Sequence, residues 1–246
     1  MPMTKPCVFI DLDNTILDFD WAERRALTAA FLEAGIEPEP EVLDRYNAIN
    51  RLQWELLENG VLTREQVLVR RFEILFAERG IHASAEQVGE RYETLLADGF
   101  RFLPWAEELL EALHGRYRMY LASNGSASVQ AARIASSGIG RFFDGIFISE
   151  ELGADKPSRE YFERCIARIR GYDPSRALMV GDSLTSDIRG GINAGIRTCW
   201  YNPSGRVPDR LIRPDFEIRS LTELPPLLER LFDRSEEYAE RACTLA

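Results

Sequence analysis

The sequence lacks any long run of apolar residues: nowhere in the chain is there a stretch near the roughly 20 consecutive apolar side chains that a membrane-spanning helix needs. Near its start, the apolar run Cys7–Ile10 is far too short for the core of a secretory signal. The four cysteines form neither a C-x-x-C pair nor a zinc-binding spacing. These absences predict a cytoplasmic protein with reduced thiols and no membrane partner.

Dense blocks of basic residues are missing as well. The 246 residues contain 30 Lys and Arg against 40 Asp and Glu, a formal net charge of −10. Binding to nucleic acid requires a cationic face, so the composition argues against a nucleic-acid partner. A small anionic ligand stays compatible with it, because a local cluster or a metal ion can outweigh the net charge. At 45% hydrophobic residues the chain can bury a core of one or two domains.

Short, continuous apolar runs of strand length recur along the chain. They are Cys7–Ile10, Met119–Ala122, Ile146–Ile148, Ala177–Val180 and Thr198–Tyr201. Continuous hydrophobicity indicates strands that are covered on both faces, as in a parallel sheet between helices. Helix-length segments alternate with these runs, which predicts an α/β fold with a three-layer, Rossmann-like parallel sheet core. In such a sheet the ligand binds at the carboxyl ends of the strands.

One region breaks this alternation, because residues 18–100 show only helical periodicity. Leu68, Phe72, Leu75 and Phe76, for example, follow the spacing of one buried helix face. We therefore predict an inserted α-helical bundle of about four helices at 18–100, within an α/β catalytic core formed by 1–17 and 101–246. The charged end, 233–246, is expected to be a solvated helix or a frayed tail.

Polar residues follow the predicted strands where each strand ends. The segments are Asp11–Thr15, Ser123–Gly125, Asp155–Pro157 and Gly181–Asp187. Each alone is compatible with a turn, a loop or a helix start. Together they bring four carboxylates, a hydroxyl and an ammonium to one edge of the sheet. Crowded carboxylates repel one another unless a cation or a proton separates them, so this edge is the candidate site.

The four segments resemble the four motifs of the haloacid dehalogenase superfamily, in the same order and at the same strand ends. They read Phe9–Thr15, Leu121–Gly125, Lys156–Pro157 and Gly181–Asp187. The helical insert resembles the α-helical cap of that superfamily. Cap and core segments are further similar to house-cleaning pyrimidine 5′-nucleotidases and, less closely, to N-acylneuraminate-9-phosphate phosphatases. These segments include Tyr46, Asn50, Trp54, Asn59–Gly60, Arg71–Phe72, Ile148–Glu151 and Gly190–Gly195.

The resemblance implies a phosphatase in which Asp11 is the nucleophile and forms an aspartyl-phosphate. Asp13 would protonate the leaving oxygen and then activate water. Since a halide leaves without a proton, Asp13 favours a phosphatase over a dehalogenase. A phosphomutase stays open, because it shares all four motifs.

The remaining motif residues are expected to bind phosphate and metal. Ser123, Asn124 and Lys156 would contact the phosphoryl oxygens. A Mg²⁺ cofactor, which prefers hard oxygen ligands, would be held by the group Asp11, Asp13, Asp182 and Asp187. As the resemblance implies, Asp13 would contribute its backbone carbonyl.

Asn50 and Trp54 share one face of a predicted cap helix and form a candidate substrate-binding pair. They could hydrogen-bond and stack against a base, although packing explains them equally well. The expected function is Mg²⁺-dependent hydrolysis of a small phosphate monoester, above all a nucleoside 5′-monophosphate. The alternatives are a sugar-phosphate or N-acylneuraminate-9-phosphate phosphatase and, in a different class, a non-catalytic binding module on the same fold. The oligomeric state is left open.

Overall fold

The computed structural model describes residues 4–207 and 211–233, which divide into two compact units. The sheet unit contains the chain up to Leu17, Phe102–Asn124 and the chain from Ile139 onward; the helical unit contains Asp18–Arg101 and Gly125–Gly138. Residues 234–246, which include Cys243 and nearly all of the expected tail, lie outside the described residues. Within the described ranges, no helix is long and apolar enough to cross a membrane.

The sheet unit contains a six-stranded parallel sheet with the order β3-β2-β1-β4-β5-β6. The strands are β1 (Cys7–Ile10), β2 (Arg118–Ser123), β3 (Gly145–Ile148), β4 (Ala177–Gly181), β5 (Arg197–Tyr201) and β6 (Phe216–Ile218). The predicted α/β fold and its first five strands are confirmed. The sixth strand was not predicted, because it has only three residues and its middle residue, Glu217, is exposed.

The central strand β1 explains why the first motif is so apolar before Asp11. All four residues of β1 are buried, and the strand pairs with β2 on one side and β4 on the other. Its last residue, Ile10, lies opposite Leu121 and Val180. Because the strands are parallel, the residues that follow them meet at one edge, which we name the carboxyl edge.

Helices occupy the insert, where they were predicted, and flank the strands of the sheet. They are α1 (Phe19–Glu33), α2 (Pro40–Glu58), α3 (Arg64–Arg79), α4 (Ala85–Ala97), α5 (Ala106–Leu113), α6 (Ala127–Ser137), α7 (Ser149–Leu152), α8 (Arg159–Ile166), α9 (Arg189–Asn193) and α10 (Leu224–Leu228). The helical segment that follows Asp182 begins with a wider π-helical turn, Leu184–Ile188, before α9. Such turns are frequent at functional sites, and this one carries Asp187.

The helical unit comprises α1–α4 together with α6. Helix α6 belongs to it because Val129 is part of its buried core and the Arg133 guanidinium lies 5.7 Å from the centre of the Phe19 ring. The Ser126 hydroxyl, at the start of α6, donates to Glu93 Oε2 at 3.0 Å. The assignment of 18–100 as a cap and of 1–17 with 101–246 as the catalytic core stays a prediction.

A buried polar network crosses the helical unit. The Arg71 guanidinium, 1% exposed, donates to Asn50 Oδ1 at 3.1 Å and to Glu93 Oε1 at 2.6 Å. The Asn50 amide in turn donates to Glu23 Oε1 at 2.7 Å. Burial raises the pKa of the Glu23 carboxyl to about 7, although the Arg71 charge and the Asn50 hydrogen bond act in the opposite direction. The network therefore contains a carboxyl group that titrates near neutral pH.

We expect Glu23→Gln to stabilise the protein above pH 7. The pKa of Glu23 is higher in the folded protein than in the unfolded chain, so the favourable contribution of this carboxyl is complete below about pH 4.5 and is lost as the pH rises through about 7. The loss is of the order of 3 kcal/mol. Urea unfolding measures the free energy of unfolding at pH 5 and at pH 8. The decrease from pH 5 to pH 8 should be smaller for Glu23→Gln than for the parent protein. The matched variant Glu73→Gln, at an exposed position on α3, should keep the drop of the parent. An unchanged drop in Glu23→Gln would contradict this explanation.

Candidate active site

The loop after β1 places Asp11 and Asp13 at the carboxyl edge. Asp11 is buried, and its backbone N–H donates to the Val180 carbonyl at 2.9 Å, which continues the pairing with β4 by one residue. The chain then reverses through Asn14, whose φ of 58° is left-handed and is tolerated by asparagine. The Asn14 N–H closes the turn by donating to the Leu17 carbonyl at 2.7 Å. Asp13 lies half-buried within this fixed turn.

The Lys156 ammonium lies at the centre of the site and is 1% exposed. It donates to Asp11 Oδ1 at 2.7 Å, to Asp187 Oδ1 at 2.6 Å and to the Ala122 carbonyl at 2.7 Å. Burial alone would lower the pKa of Lys156, but the Asp11 and Asp187 carboxylates raise it by more, so the net shift is upward. The side chain therefore stays charged and uses its three donors.

Asp187 is brought to this ammonium by the turn after β4. Its Oδ2 accepts the Ser183 backbone N–H at 3.0 Å, so both carboxylate oxygens are engaged. Gly181 makes the approach possible: a Cβ there would lie 2.2 Å from Asp187 Oδ2. Any side chain at position 181 would therefore displace the carboxylate.

Asp182 is held chiefly through its backbone. Its N–H donates to the Thr15 hydroxyl at 3.1 Å, which links the first and fourth motifs. Its carbonyl accepts both the Trp200 indole N–H at 2.8 Å and the Arg206 guanidinium at 2.7 Å. These three contacts fix the peptide units on which the half-buried Asp182 carboxylate is carried.

Asp11, Asp182 and Asp187 form a carboxylate cluster in which one oxygen of each lies within 4.8 Å of the others. Burial raises the pKa of Asp11 well above its usual value. The Lys156 charge lowers this pKa, and the neighbouring carboxylates raise it further. A divalent cation among these oxygens would favour the ionised form of Asp11. Hard oxygen donors at this spacing fit Mg²⁺. Asp13 is not a member of the cluster within the described residues, and its expected role as a metal ligand stays a prediction.

The predicted phosphate-binding residues lie beside this cluster. Ser123 is the last residue of β2 and is buried. The Asn124 amide exchanges two hydrogen bonds with the Lys156 backbone, donating to its carbonyl and accepting its N–H, both at 2.8 Å. Asn124 thus joins the second and third motifs directly. A contact of Ser123 or Asn124 with phosphate stays a prediction.

The two candidate substrate-binding residues of the insert differ in their surroundings. Asn50 is 5% exposed, and its amide oxygen and nitrogen bind Arg71 and Glu23 within the helical unit. Trp54 is half-buried, with the Arg64 guanidinium 5.4 Å from its ring centre. Asn50 therefore has a structural role, whereas Trp54 keeps part of its surface open to solvent. Base binding by either residue stays a prediction.

Trp200 and Arg206 are site neighbours that the sequence did not single out. They lie 18 and 24 residues after Asp182, a spacing with no motif character. Only the pairing of β5 with β4 brings them to Asp182. The order of the strands could not be predicted from the sequence pattern, so no sequence signal was available for this contact.

The parallel sheet with aspartates and a buried lysine at its carboxyl edge is typical of an α/β enzyme. Comparison with known proteins specifies the family. The haloacid dehalogenase-like hydrolase family matches residues 5–195. The pyrimidine 5′-nucleotidase PynA of Streptococcus pneumoniae is 37% identical over 224 residues, 91% of this chain and 94% of its own length. The pyrimidine 5′-nucleotidase YjjG of Escherichia coli is 35% identical over 221 residues, 90% of this chain and 96% of its own length.

A solved structure also matches along nearly the whole chain. The structure of YfnB from Bacillus subtilis, bound to magnesium, superposes with a TM-score of 0.87 at 36% identity and covers 91% of this chain and 98% of its own. The chain belongs to the haloacid dehalogenase-like hydrolase family. The resemblance read from the four motifs is thereby confirmed.

Proposed function

We propose that this protein is a Mg²⁺-dependent phosphatase of the cytoplasm that hydrolyses nucleoside 5′-monophosphates through an aspartyl-phosphate. The observation that carries the proposal is the position of Asp11, buried at the carboxyl edge with its Oδ1 held 2.7 Å from the Lys156 ammonium. The relatives named as pyrimidine 5′-nucleotidases support the nucleotide as substrate. The absence of a dense basic block supports a small-molecule partner rather than nucleic acid.

In this mechanism Asp11 attacks the phosphorus atom and the bond to the leaving oxygen breaks, which leaves the phosphoryl group on Asp11. Lys156 orients the Asp11 carboxylate and neutralises charge on the phosphoryl oxygens. Asp11, Asp182 and Asp187 would hold Mg²⁺, whose charge, when it is bound, offsets the repulsion between carboxylate and phosphate. Asp13 donates a proton to the leaving alkoxide and then takes one from the water that hydrolyses the aspartyl-phosphate.

The proposal is tested by release of inorganic phosphate from purified protein, with and without Mg²⁺, on a panel of monoesters. The panel contains pyrimidine and purine 5′-monophosphates, sugar phosphates, N-acylneuraminate 9-phosphate and para-nitrophenyl phosphate. The highest kcat/KM on nucleotides, dependent on Mg²⁺, is the expected result. A preference for the acylneuraminate or a sugar phosphate would favour the alternative substrates. Phosphoryl transfer between sugar positions without phosphate release would indicate a mutase, and no turnover at all would favour a binding module.

Asp13→Asn should separate substrates by their leaving groups. Nitrophenolate leaves with little protonation, so formation of the aspartyl-phosphate from para-nitrophenyl phosphate should largely persist. A nucleoside leaves as a poor alkoxide, and the single-turnover rate on uridine 5′-monophosphate should fall about 100-fold or more. Rapid-quench measurement of phosphoenzyme and nitrophenolate would detect the difference. Equal losses on both substrates would exclude Asp13 as the general acid.

Trp54→Ala should affect only substrates that carry a base. Stacking on an aromatic side chain contributes roughly 1–3 kcal/mol, so kcat/KM for uridine 5′-monophosphate should fall about 5- to 150-fold. Hydrolysis of glycerol phosphate, which offers no ring to stack, should be nearly unchanged. Trp105→Ala, at an exposed tryptophan of the sheet unit, is the matched control and should leave both rates unchanged. Similar losses for Trp54→Ala on both kinds of substrate would show that Trp54 has only a structural role.

A further inference from the structure

Arg206 lies on a short turn directly after β5. The fully buried Asn202 side chain stabilises this turn through three hydrogen bonds. Its Oδ1 accepts the Arg206 N–H at 2.8 Å. Its Nδ2 donates to the Arg206 carbonyl at 2.9 Å and to Glu217 Oε1 at 2.8 Å. Gly205 has a φ of +66°, a left-handed conformation in which a side chain would be strained. The turn that carries Arg206 is therefore specified by its own residues.

The Arg206 guanidinium extends from this turn to the carboxylate cluster. It lies 5.6 Å from the centre of the Trp200 ring, and its Nη2 donates to the Asp182 carbonyl at 2.7 Å. The same nitrogen is 3.5 Å from Asp182 Oδ2, while the side chain stays 53% exposed. The cation is thus fixed next to one of the three clustered carboxylates and still faces solvent.

The charges at the site explain what such a cation could do. Four carboxylates, those of Asp11, Asp13, Asp182 and Asp187, lie at the edge with the Lys156 ammonium, which leaves three negative charges in excess. One divalent cation would leave one of them uncancelled. A phosphate monoester carries nearly two negative charges at neutral pH, and the remaining negative charge would repel it. The Arg206 charge would cancel this remainder before the phosphate arrives.

We propose that Arg206 is an electrostatic binding residue for the phosphoryl group, which increases the affinity of the carboxyl edge for a phosphate dianion. The inference rests on the proposed phosphatase function and specifies the source of its affinity for phosphate. The distances support it: the guanidinium is 3.5 Å from the Asp182 carboxylate, and the Asp182 and Asp11 carboxylate oxygens of the cluster are within 4.8 Å of each other. Arg206 therefore lies within about one Debye length, roughly 10 Å at 0.1 M salt, of the carboxylate that would receive the phosphoryl group.

The test is calorimetric binding of inorganic phosphate to the parent protein, Arg206→Gln and Arg206→Lys, each saturated with Mg²⁺. We expect Arg206→Gln to weaken phosphate binding about 10-fold at low ionic strength, and the difference to shrink as salt is added. Arg206→Lys keeps the charge and should retain most of the affinity. The KM for para-nitrophenyl phosphate should rise with the phosphate dissociation constant while kcat changes little.

Two controls make the outcome specific. Arg197→Gln removes the same charge at the start of β5, the opposite edge of the sheet, and should not change phosphate binding. Mg²⁺ titration without phosphate should show that Arg206→Gln binds the ion at least as tightly as the parent, since a neighbouring positive charge has been removed. Melting temperatures establish that each variant is folded.

Three results would overturn the inference while the phosphatase function stands: parent-like phosphate affinity in Arg206→Gln, equal weakening in Arg206→Lys and Arg206→Gln, or a change confined to Mg²⁺ binding. The last two would assign Arg206 to hydrogen bonding or to placement of Asp182 instead. A parent protein that neither binds inorganic phosphate nor hydrolyses any monoester would overturn the proposed function, and this inference with it.

Discussion

Replacing Asp11 with asparagine is expected to lower kcat/KM for every phosphate monoester by at least about a thousandfold. An amide oxygen is a poor nucleophile, and no aspartyl-phosphate can form at this position. The fold should persist, because asparagine has nearly the same shape and the Asp11 backbone stays paired with Val180. Acid-quenched reactions with a radiolabelled monoester should trap phosphoenzyme in the parent and none in Asp11→Asn.

Asp173→Asn is the matched control for this experiment. It makes the same chemical change in the turn that precedes β4, at the opposite edge of the sheet, where asparagine can still cap the turn. Its activity should equal that of the parent. Labelled phosphoenzyme or parent-like turnover in a folded Asp11→Asn protein would exclude Asp11 as the nucleophile.

Replacing Lys156 with methionine is expected to impair both activity and stability. The ammonium separates the buried Asp11 and Asp187 carboxylates, and methionine removes its charge while keeping a side chain of similar length. Breaking a buried ion pair by removing one partner costs about 3–5 kcal/mol, so the free energy of unfolding should fall by that amount. Turnover should drop to near background because the phosphoryl oxygens lose their buried cation. Urea unfolding and phosphate release measure the two effects.

The double variant Lys156→Met with Asp187→Asn tests the electrostatic cause of this loss. The neutral amide introduced at position 187 can still accept the Ser183 N–H through its oxygen, but it no longer repels Asp11. Stability should therefore recover in part, whereas activity should not. A double variant that is less stable than Lys156→Met alone would show that lost packing around Lys156, not unpaired charge, causes the destabilisation.

In the helical unit, the sequence pattern predicted the helices but not the contacts between them. Helical periodicity predicted about four helices in the insert, and the structure contains α1–α4 there. Periodicity also placed Asn50 on a face with Trp54, but it could not show that Arg71 and Glu23 occupy both ends of the Asn50 amide. Hydrogen-bond partners on other helices depend on how the helices pack. The spacing of residues along one helix does not contain this information.

The sequence by itself determined the main strands and the presence of aspartates and a lysine at one edge. Continuous apolar runs indicate strands covered on both faces, and parallel strands must bring their carboxyl ends to the same side. Tertiary structure alone decided that Lys156 lies between Asp11 and Asp187, and that Arg206 reaches Asp182 from the turn after the neighbouring strand β5. Local patterns specify where a strand or helix begins and ends, because they reflect burial along one segment. Contacts between segments depend on strand order and loop geometry, which arise only when distant parts of the chain pack together.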